Sequence, residues 1–208
     1  YATFMAKPHE NEPGSSMHIH QSVLDNKTGK NIFAGKDGKP SKLFLNHIGG
    51  LQRYLAAALP FCAPNVNSYR RLVPESDAPT NVHWAIDNRT VSLRVPSSNP
   101  VNLRVENRVP GADANPHLAF AASPACGYLG MVERIKPSEA VTGSAYRYAH
   151  TLPINLDDAL DKLNYTKSLK QVMGEKFVTA YQDVKFEEMQ HFRKVISSWE
   201  REFLLLNV

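Results

Sequence analysis

The stretch Pro13–Ser22 constrains the fold of this chain most, because its residues alternate in polarity with a period of two. Side chains of a β-strand point alternately to the two faces of its sheet. The alternation predicts a strand with one polar and one apolar face, formed respectively by Ser16, His18, His20 and Ser22 and by Met17, Ile19 and Val23. Gly14 precedes the strand and predicts a turn whose backbone can approach a ligand closely.

Two interpretations of the polar face are open at this point. A neutral imidazole binds divalent metals, and a charged imidazole binds phosphate, so His18 and His20 are candidate ligands. Alternatively, the segment is a half-exposed strand that happens to carry histidine. The choice depends on what the neighbouring strands offer.

The composition excludes some classes of protein. The chain has 208 residues with 42% hydrophobic and 21% charged residues, which is typical of a soluble globular domain. No apolar run approaches the roughly 18 residues of a membrane span. The net charge of +4 is spread along the chain, so neither a nucleic-acid nor a membrane partner is indicated. Cys62 and Cys126 lack metal-site spacing and are interpreted as buried thiols of a cytoplasmic protein.

Strand patterns occupy the first half of the chain. Val82–Ile86 and Val91–Val95 alternate around Asp87-Asn88, which predicts a hairpin. Further strands are predicted over Ala2–Ala6, from the polar-face residues to about Leu24, and over Asn102–Val109.

One helical pattern lies between these strands, and helical patterns dominate the second half. Ser41 is the predicted N-cap of a helix from Lys42 to about Leu59 that Pro60 and Pro64 end, and Asn115 is the predicted N-cap of a helix from Pro116 to about Arg134. Two short helices and a long one from Glu175 to about Leu205 follow, and the aromatic stripe of the long helix is interpreted as core contacts. The fold class is therefore α+β, with an antiparallel sheet that carries helices on one face and a site on the other.

Two more strands repeat the polar-face pattern. One carries Thr90, Ser92 and Arg94, and the other carries Arg104, Glu106 and Arg108. An exposed sheet with cross-strand ion pairs explains one such face, but three of them favour a site. A carboxylate and an imidazole are half of a divalent-metal site, and guanidinium groups match carboxylate and phosphate oxygens. We therefore expect a metal-dependent site for a phosphorylated, acidic ligand.

Six ordered segments resemble the motifs of the glutamine synthetase family. They are Phe4–Pro8, Gly14–Ser22, Asn67–Pro74, Asp87–Pro96, Arg104–Arg108 and Asn115–Ala122. The resemblance implies that residues 1–208 are a C-terminal catalytic domain of the glutamine synthetase/guanido kinase-like fold. It further implies that the N-terminal β-grasp domain and a metal-binding Glu-x-Glu strand of the family lie upstream of this fragment.

The resemblance implies a role for each candidate residue. His18 and Glu106 resemble the ligands of a Mg²⁺ or Mn²⁺ ion. The residues that resemble ATP contacts are His20, Gln21, Ser22, Arg89, Arg94 and Arg104. Those that resemble glutamate contacts are Gly14, Arg71 and Arg108. Asp77 and Arg89 match catalytic positions.

The implied reaction is the ATP-dependent ligation of L-glutamate to an amine through a γ-glutamyl phosphate. Asp77 stands where glutamine synthetases proper carry a glutamate, and its shorter side chain leaves room for a larger amine. The nearest branch is the one that joins glutamate to putrescine. The alternatives are a glutamine synthetase, which uses ammonia, and a non-catalytic relative. The resemblance also implies that the full-length protein forms a ring-shaped homo-oligomer, namely a dodecamer. It further implies that the isolated fragment is inactive.

Overall fold

The computed structural model describes residues 2–74 and 76–208, which form two compact units. The first unit ends at Met173 and the second is Gly174–Val208. The α+β fold class predicted from the sequence is confirmed. None of the helices in the described parts of the chain is long and apolar enough to cross a membrane.

The first unit contains a four-stranded sheet with the order β1-β4-β3-β2. The strands are β1 (Ile19–Gln21), β2 (Trp84–Ile86), β3 (Leu93–Val95) and β4 (Val105–Asn107). β4 lies between β1 and β3 and is antiparallel to both. β1, the strand that carries His20, is shorter than the strand predicted from the polar-face residues to about Leu24. The described residues of the predicted strand Ala2–Ala6 form no strand. Backbone groups there are bonded locally instead, since the Ser15 N–H donates to the Ala6 carbonyl over 2.8 Å.

The predicted hairpin of β2 and β3 is wrong, because the two strands pair in parallel. The residues between the two strands do not form a hairpin turn, because they are hydrogen-bonded to the segment around Gly143 and Ala145. Asn88 Nδ2 donates to the Gly143 carbonyl over 2.6 Å, and the Ala145 N–H donates to Thr90 Oγ1 over 2.8 Å. Within the connection, Thr90 donates to the Asn88 carboxamide from both its N–H and its hydroxyl. The chain consequently returns to the starting end of β2 before β3 begins.

Two helices form the core beside the sheet. α1 (Lys42–Cys62) begins at the predicted cap, where Ser41 Oγ accepts from the Phe44 N–H over 3.1 Å. It continues past Pro60 because a proline ring obstructs only the turn before it. α2 (Pro116–Glu133) begins at the predicted cap Asn115, whose Oδ1 accepts from the His117 N–H over 3.0 Å. Both predicted starts are confirmed.

Further helices complete the chain. They are α3 (Leu156–Tyr165), α4 (Lys167–Met173), α5 (Glu175–Arg193) and α6 (Ser198–Leu204), with 3-10 helices at Val66–Arg70, Pro100–Asn102 and Ala145–Arg147. The single long C-terminal helix predicted from the sequence is thus divided.

The division between α5 and α6 has a local cause. Ser197 Oγ accepts from the Glu200 N–H over 3.2 Å, and Glu200 Oε2 accepts from the Ser197 N–H over 2.7 Å, so the pair forms a capping box. The interpretation of the aromatic stripe as core contacts is also wrong for most of its members. The exposed members are Phe177, Phe186, Phe192, Ile196, Trp199 and Phe203.

Candidate active site

Three adjacent strands bring a row of candidate residues together across the sheet. His20 of β1 and Arg94 of β3 are both cross-strand partners of Glu106 in β4. Residues that are directly paired across strands project on the same face. The pairing therefore places an imidazole, a carboxylate and a guanidinium side by side, with the carboxylate in the middle.

The Glu106 carboxylate is the centre of a network of polar contacts. Its Oε1 lies 3.0 Å from His18 Nδ1 and accepts from Arg108 Nη1 over 3.1 Å. Its Oε2 accepts from Arg94 Nη1 over 2.8 Å. Only 3% of Glu106 is exposed, so these contacts are shielded from water. The two metal-ligand candidates and two of the arginine candidates thus meet at one carboxylate.

The Glu106 carboxylate is held in its charged form. Burial by itself raises the pKa of Glu106, but the lowering effects outweigh it, and the largest of them are the hydrogen bond from Arg94 and the charge of Arg108. The pKa of Glu106 consequently lies below its usual value. The same contact stabilises the charged form of Arg94, because the hydrogen bond to Glu106 raises the pKa of the guanidinium.

His18 is suited to binding a metal. Burial and the charge of Arg108 lower the pKa of its imidazole, and Glu106 opposes them less strongly. The imidazole is therefore neutral at pH 7, which is the form that coordinates divalent ions. Its Nε2 lies 3.1 Å from Ser16 Oγ, so the two ring nitrogens have partners on opposite sides.

The donors at this point fit part of a divalent-metal site. An adjacent carboxylate and neutral imidazole are suitable ligands for such an ion. Within residues 2–74 and 76–208, however, no three His, Cys, Asp or Glu side chains are grouped so that they could hold a metal. His18 and Glu106 are therefore a pair of candidate ligands rather than a full set within the described residues.

Arg94 has a second acidic partner that the sequence did not single out. Its Nη2 donates to Asp87 Oδ1 over 2.9 Å, and the same oxygen accepts from the Ser97 N–H over 3.1 Å. The hydrogen bonds from Ser97 lower the pKa of Asp87. The sequence pattern places Asp87 in a predicted turn. Nothing in the spacing between positions 87 and 94 indicates the contact with Arg94.

Arg71 and Gly14, two of the candidates for binding glutamate, lie against each other. A Cβ on Gly14 would lie 2.7 Å from Arg71 Cγ, so only glycine leaves room for this side chain. Arg71 is buried, and its Nη2 donates to the Val109 carbonyl. Burial lowers the pKa of Arg71 to about 10, and the nearby Asp113 carboxylate opposes this effect. The guanidinium is therefore charged at neutral pH.

The remaining ATP-contact candidates are divided between the two faces of the sheet. His20 and Ser22 are exposed, and His20 Nδ1 accepts from Arg104 Nε over 3.3 Å. Gln21 lies on the opposite face, where it is buried and its Nε2 donates to Ser123 Oγ of α2 over 2.7 Å. Its side chain is not part of the Glu106 network.

Arg89 and Asp77 lie in exposed loops outside the Glu106 network. Arg89 is in the β2–β3 connection, and Asp77 has a φ of 58°. Burial raises the pKa of the half-buried Tyr146; the charge of Asp77 adds to this effect and that of Arg108 opposes it. The charges of Asp77 and Arg108 therefore both act on the Tyr146 hydroxyl. No sequence pattern indicated this residue, because a single turn of 3-10 helix is too short to show a periodicity.

Comparison with known proteins identifies the family. The family model described as "Glutamine synthetase, catalytic domain" matches residues 1–204. Gamma-glutamylputrescine synthetase PuuA of Escherichia coli (strain K12) is 38% identical over 208 residues, which are 100% of this chain and 44% of that protein. Glutamate–isopropylamine ligase of Pseudomonas sp is 35% identical over 205 residues, 96% of this chain and 44% of that protein.

A solved structure supports the same assignment. The structure described as "Apo GmaS without ligand" has a TM-score of 0.87 and 30% sequence identity, and the match covers 98% of this chain and 48% of that one. The chain thus spans about half the length of the relatives that it matches. On the family match and the fold together, the chain belongs to the glutamine synthetase catalytic-domain family.

Proposed function

We propose that this chain is the catalytic domain of an ATP-dependent ligase that joins the γ-carboxylate of L-glutamate to an amine. The observation that carries the proposal is the buried Glu106 carboxylate, which contacts His18, Arg94 and Arg108 at the same time. Family membership supports the same reaction class.

The cationic side chains are suited to moving a phosphoryl group between two anions. Arg94 and Arg104 would bind the phosphates of ATP, with His20 and Ser22 beside them, and Arg71 and Arg108 would hold glutamate. Arg89 would lie between the two ligands. Close, fixed positive charges stabilise the charge that spreads over the transferring oxygens. A Mg²⁺ or Mn²⁺ ion held by His18 and Glu106 would neutralise phosphate charge when bound.

The reaction has two steps in this proposal. The glutamate γ-carboxylate attacks the γ-phosphorus of ATP, the bond to the bridging oxygen breaks, and γ-glutamyl phosphate and ADP form. The amine nitrogen then attacks the acyl carbon, and phosphate leaves to give the amide. Asp77 would accept the proton that the amine loses, since a carboxylate can act as a general base.

The proposed acceptor is putrescine or another amine larger than ammonia. Asp77 is one methylene shorter than the glutamate of glutamine synthetases proper, which leaves more space for the acceptor. Two similar proteins are named for ligation to putrescine and to isopropylamine. The family itself is named for glutamine synthetase, so ammonia is the alternative acceptor. The proposed full-length protein is a cytoplasmic, ring-shaped homo-oligomer, namely a dodecamer.

Phosphate release by the full-length protein tests the proposal. The assay contains ATP, Mg²⁺ and glutamate, with putrescine, isopropylamine or ammonia as the acceptor. We expect the highest kcat/KM with putrescine or another larger amine. A preference for ammonia would establish the glutamine synthetase alternative, and no release with any amine would favour a non-catalytic relative.

The variant Asp77→Asn separates the role of the loop carboxylate from binding. Asparagine tolerates a φ of 58°, so the backbone is preserved while the proton acceptor is lost. We expect kcat to fall by about 100-fold, the lower range for general base catalysis, with little change in the KM for glutamate. Asp37→Asn, in a distant exposed turn, is the matched control and should behave like the wild type.

A further inference from the structure

We propose that Asp87 is a positioning residue that fixes the Arg94 guanidinium for the phosphates of ATP. This inference rests on the proposed function, because it assigns a role within that same site. Asp87 lies in the segment Asp87–Pro96 that resembles the family, but the resemblance implies no role for it, and its contact with Arg94 is seen in the structure.

The Arg94 guanidinium is held at both of its terminal nitrogens. Nη1 donates to Glu106 Oε2 over 2.8 Å, and Nη2 donates to Asp87 Oδ1 over 2.9 Å. A planar group with two fixed nitrogens cannot rotate about its bond to Nε without breaking one of these contacts. Asp87 therefore determines the orientation of the guanidinium plane, whereas Glu106 alone would leave it free to swing.

Asp87 is itself fixed by the backbone. Its Oδ1 also accepts from the Ser97 N–H over 3.1 Å, and the Asp87 N–H donates to the Val95 carbonyl over 3.0 Å. These bonds connect the end of β2 to the end of β3. Asp87 adopts a φ of 47°, a conformation that aspartate and asparagine tolerate better than most residues. A side chain that is 43% exposed is thus kept in one place.

The two partners of Arg94 differ in their access to solvent. The Glu106 side chain is 4% exposed and the Asp87 side chain is 43% exposed. Arg94 therefore bridges from the buried carboxylate to the outer rim of the site, where an anionic ligand arrives. A guanidinium that is already oriented loses less side-chain freedom when it binds phosphate, which increases the affinity.

ATP affinity, measured by calorimetry with MgATP on the full-length protein, tests this role, and the KM for glutamate in the ligation assay shows whether the effect is confined to ATP. Asp87→Gly removes the carboxylate and relieves the backbone at a φ of 47°, so it avoids the strain that alanine would add. We expect about tenfold weaker ATP binding, as is typical when an outer partner of a binding residue is lost. Asp87→Asn keeps the oxygen acceptor and should bind with intermediate affinity, and the KM for glutamate should stay within about twofold.

A second background separates positioning from general damage. In Arg94→Lys, which lacks the planar fork, Asp87→Gly should cause no further loss of ATP affinity. Arg134→Gly controls for glycine at a positive φ, since Arg134 has a φ of 56°, and Asp25→Asn controls for loss of a surface carboxylate. Both controls should bind ATP like the wild type.

The inference is overturned if Asp87→Gly binds ATP as tightly as the wild type. It is also overturned if the tenfold loss persists in Arg94→Lys, or if the KM for glutamate rises by the same factor. A wild-type protein that does not bind ATP would instead refute the proposed function, so the two failures are distinguishable.

Discussion

Glu106 combines deep burial with full charge, which is costly unless every lone pair direction is satisfied. Three donors from three different segments satisfy it, namely His18, Arg94 and Arg108. Removing the charge while keeping the shape would leave two guanidinium groups facing a neutral amide. A substitution of Glu106 therefore disturbs its contacts with His18, Arg94 and Arg108 together.

We expect Glu106→Gln to reduce ATP-dependent ligation by about 100-fold or more, since it removes both a metal-ligand candidate and the partner that orients two arginines. The measurement is phosphate release by the full-length protein at saturating ATP. Glu133→Gln is the matched control, because Glu133 Oε2 accepts from Tyr54 over 2.6 Å on another part of the first unit. Equal activity in both variants would remove Glu106 from the active site.

At the scale of elements, α1 and α2 approach each other through glycine. A Cβ on Gly50 would lie 2.6 Å from Gly130 Cα, and a Cβ on Gly130 would clash with Gly50 and with the Asn46 carbonyl. The atoms in the way are backbone atoms, which cannot move aside as a flexible side chain does. The two helices therefore pack at a distance that only glycine allows.

Gly130→Ala should destabilise the protein by about 1–3 kcal/mol, because the added methyl group forces the helices apart. Helix propensity alone predicts the opposite sign, a gain of about 1 kcal/mol. Urea denaturation measures the free energy of unfolding in each case. Ala121→Gly, at an exposed position of α2, is the control and should cost about 1 kcal/mol. A stabilised Gly130→Ala would contradict the close packing.

Local signals predicted the elements that they control, and tertiary contacts determined the rest. Ser41 and Asn115 cap their helices as predicted because a cap needs only the next three residues. The alternation that predicted the polar face is likewise local, whereas the pairing of His18 with Glu106 was implied only by the family resemblance. The parallel pairing of β2 and β3 could not, since it depends on bonds from Asn88 and Thr90 to residues more than 50 positions away.

At the scale of the whole molecule, His47 limits the acid stability of the protein. It lies in α1 with 1% exposure, its ring centroid is 4.9 Å from that of Phe33, and a Cβ on Gly127 would occupy its place. Neither ring nitrogen has a hydrogen-bond partner among the residues that the structure describes. Burial lowers the pKa of His47 to about 4. The folded protein therefore holds this imidazole in its neutral form.

The sign of the pH dependence follows from this difference. An unfolded chain has a histidine pKa of about 6.5, so it binds a proton that the folded protein does not bind between pH 6.5 and about 4. Stability is full above pH 6.5 and is lost as the pH falls through this range. We expect about 2 kcal/mol of the unfolding free energy to be lost between pH 7 and pH 5 because of His47.

Urea denaturation at these two pH values checks the prediction. His47→Leu should remove about 2 kcal/mol of the difference in unfolding free energy between pH 7 and pH 5. His9→Leu, at an exposed histidine, should leave that difference unchanged. If both variants keep the wild-type difference, the acid sensitivity of the molecule lies elsewhere.

The contact between Arg94 Nη1 and Glu106 Oε2 also links two ligands thermodynamically. A divalent cation at Glu106 would compete with Arg94 for that oxygen. An anion that takes over Nη1 frees the Glu106 oxygen for a cation, and a cation on that oxygen frees Nη1 for an anion, while Asp87 keeps its contact with Nη2. By reciprocity, each ligand raises the affinity for the other by the same factor. Neither has to arrive first, because whichever binds prepares the place of its partner.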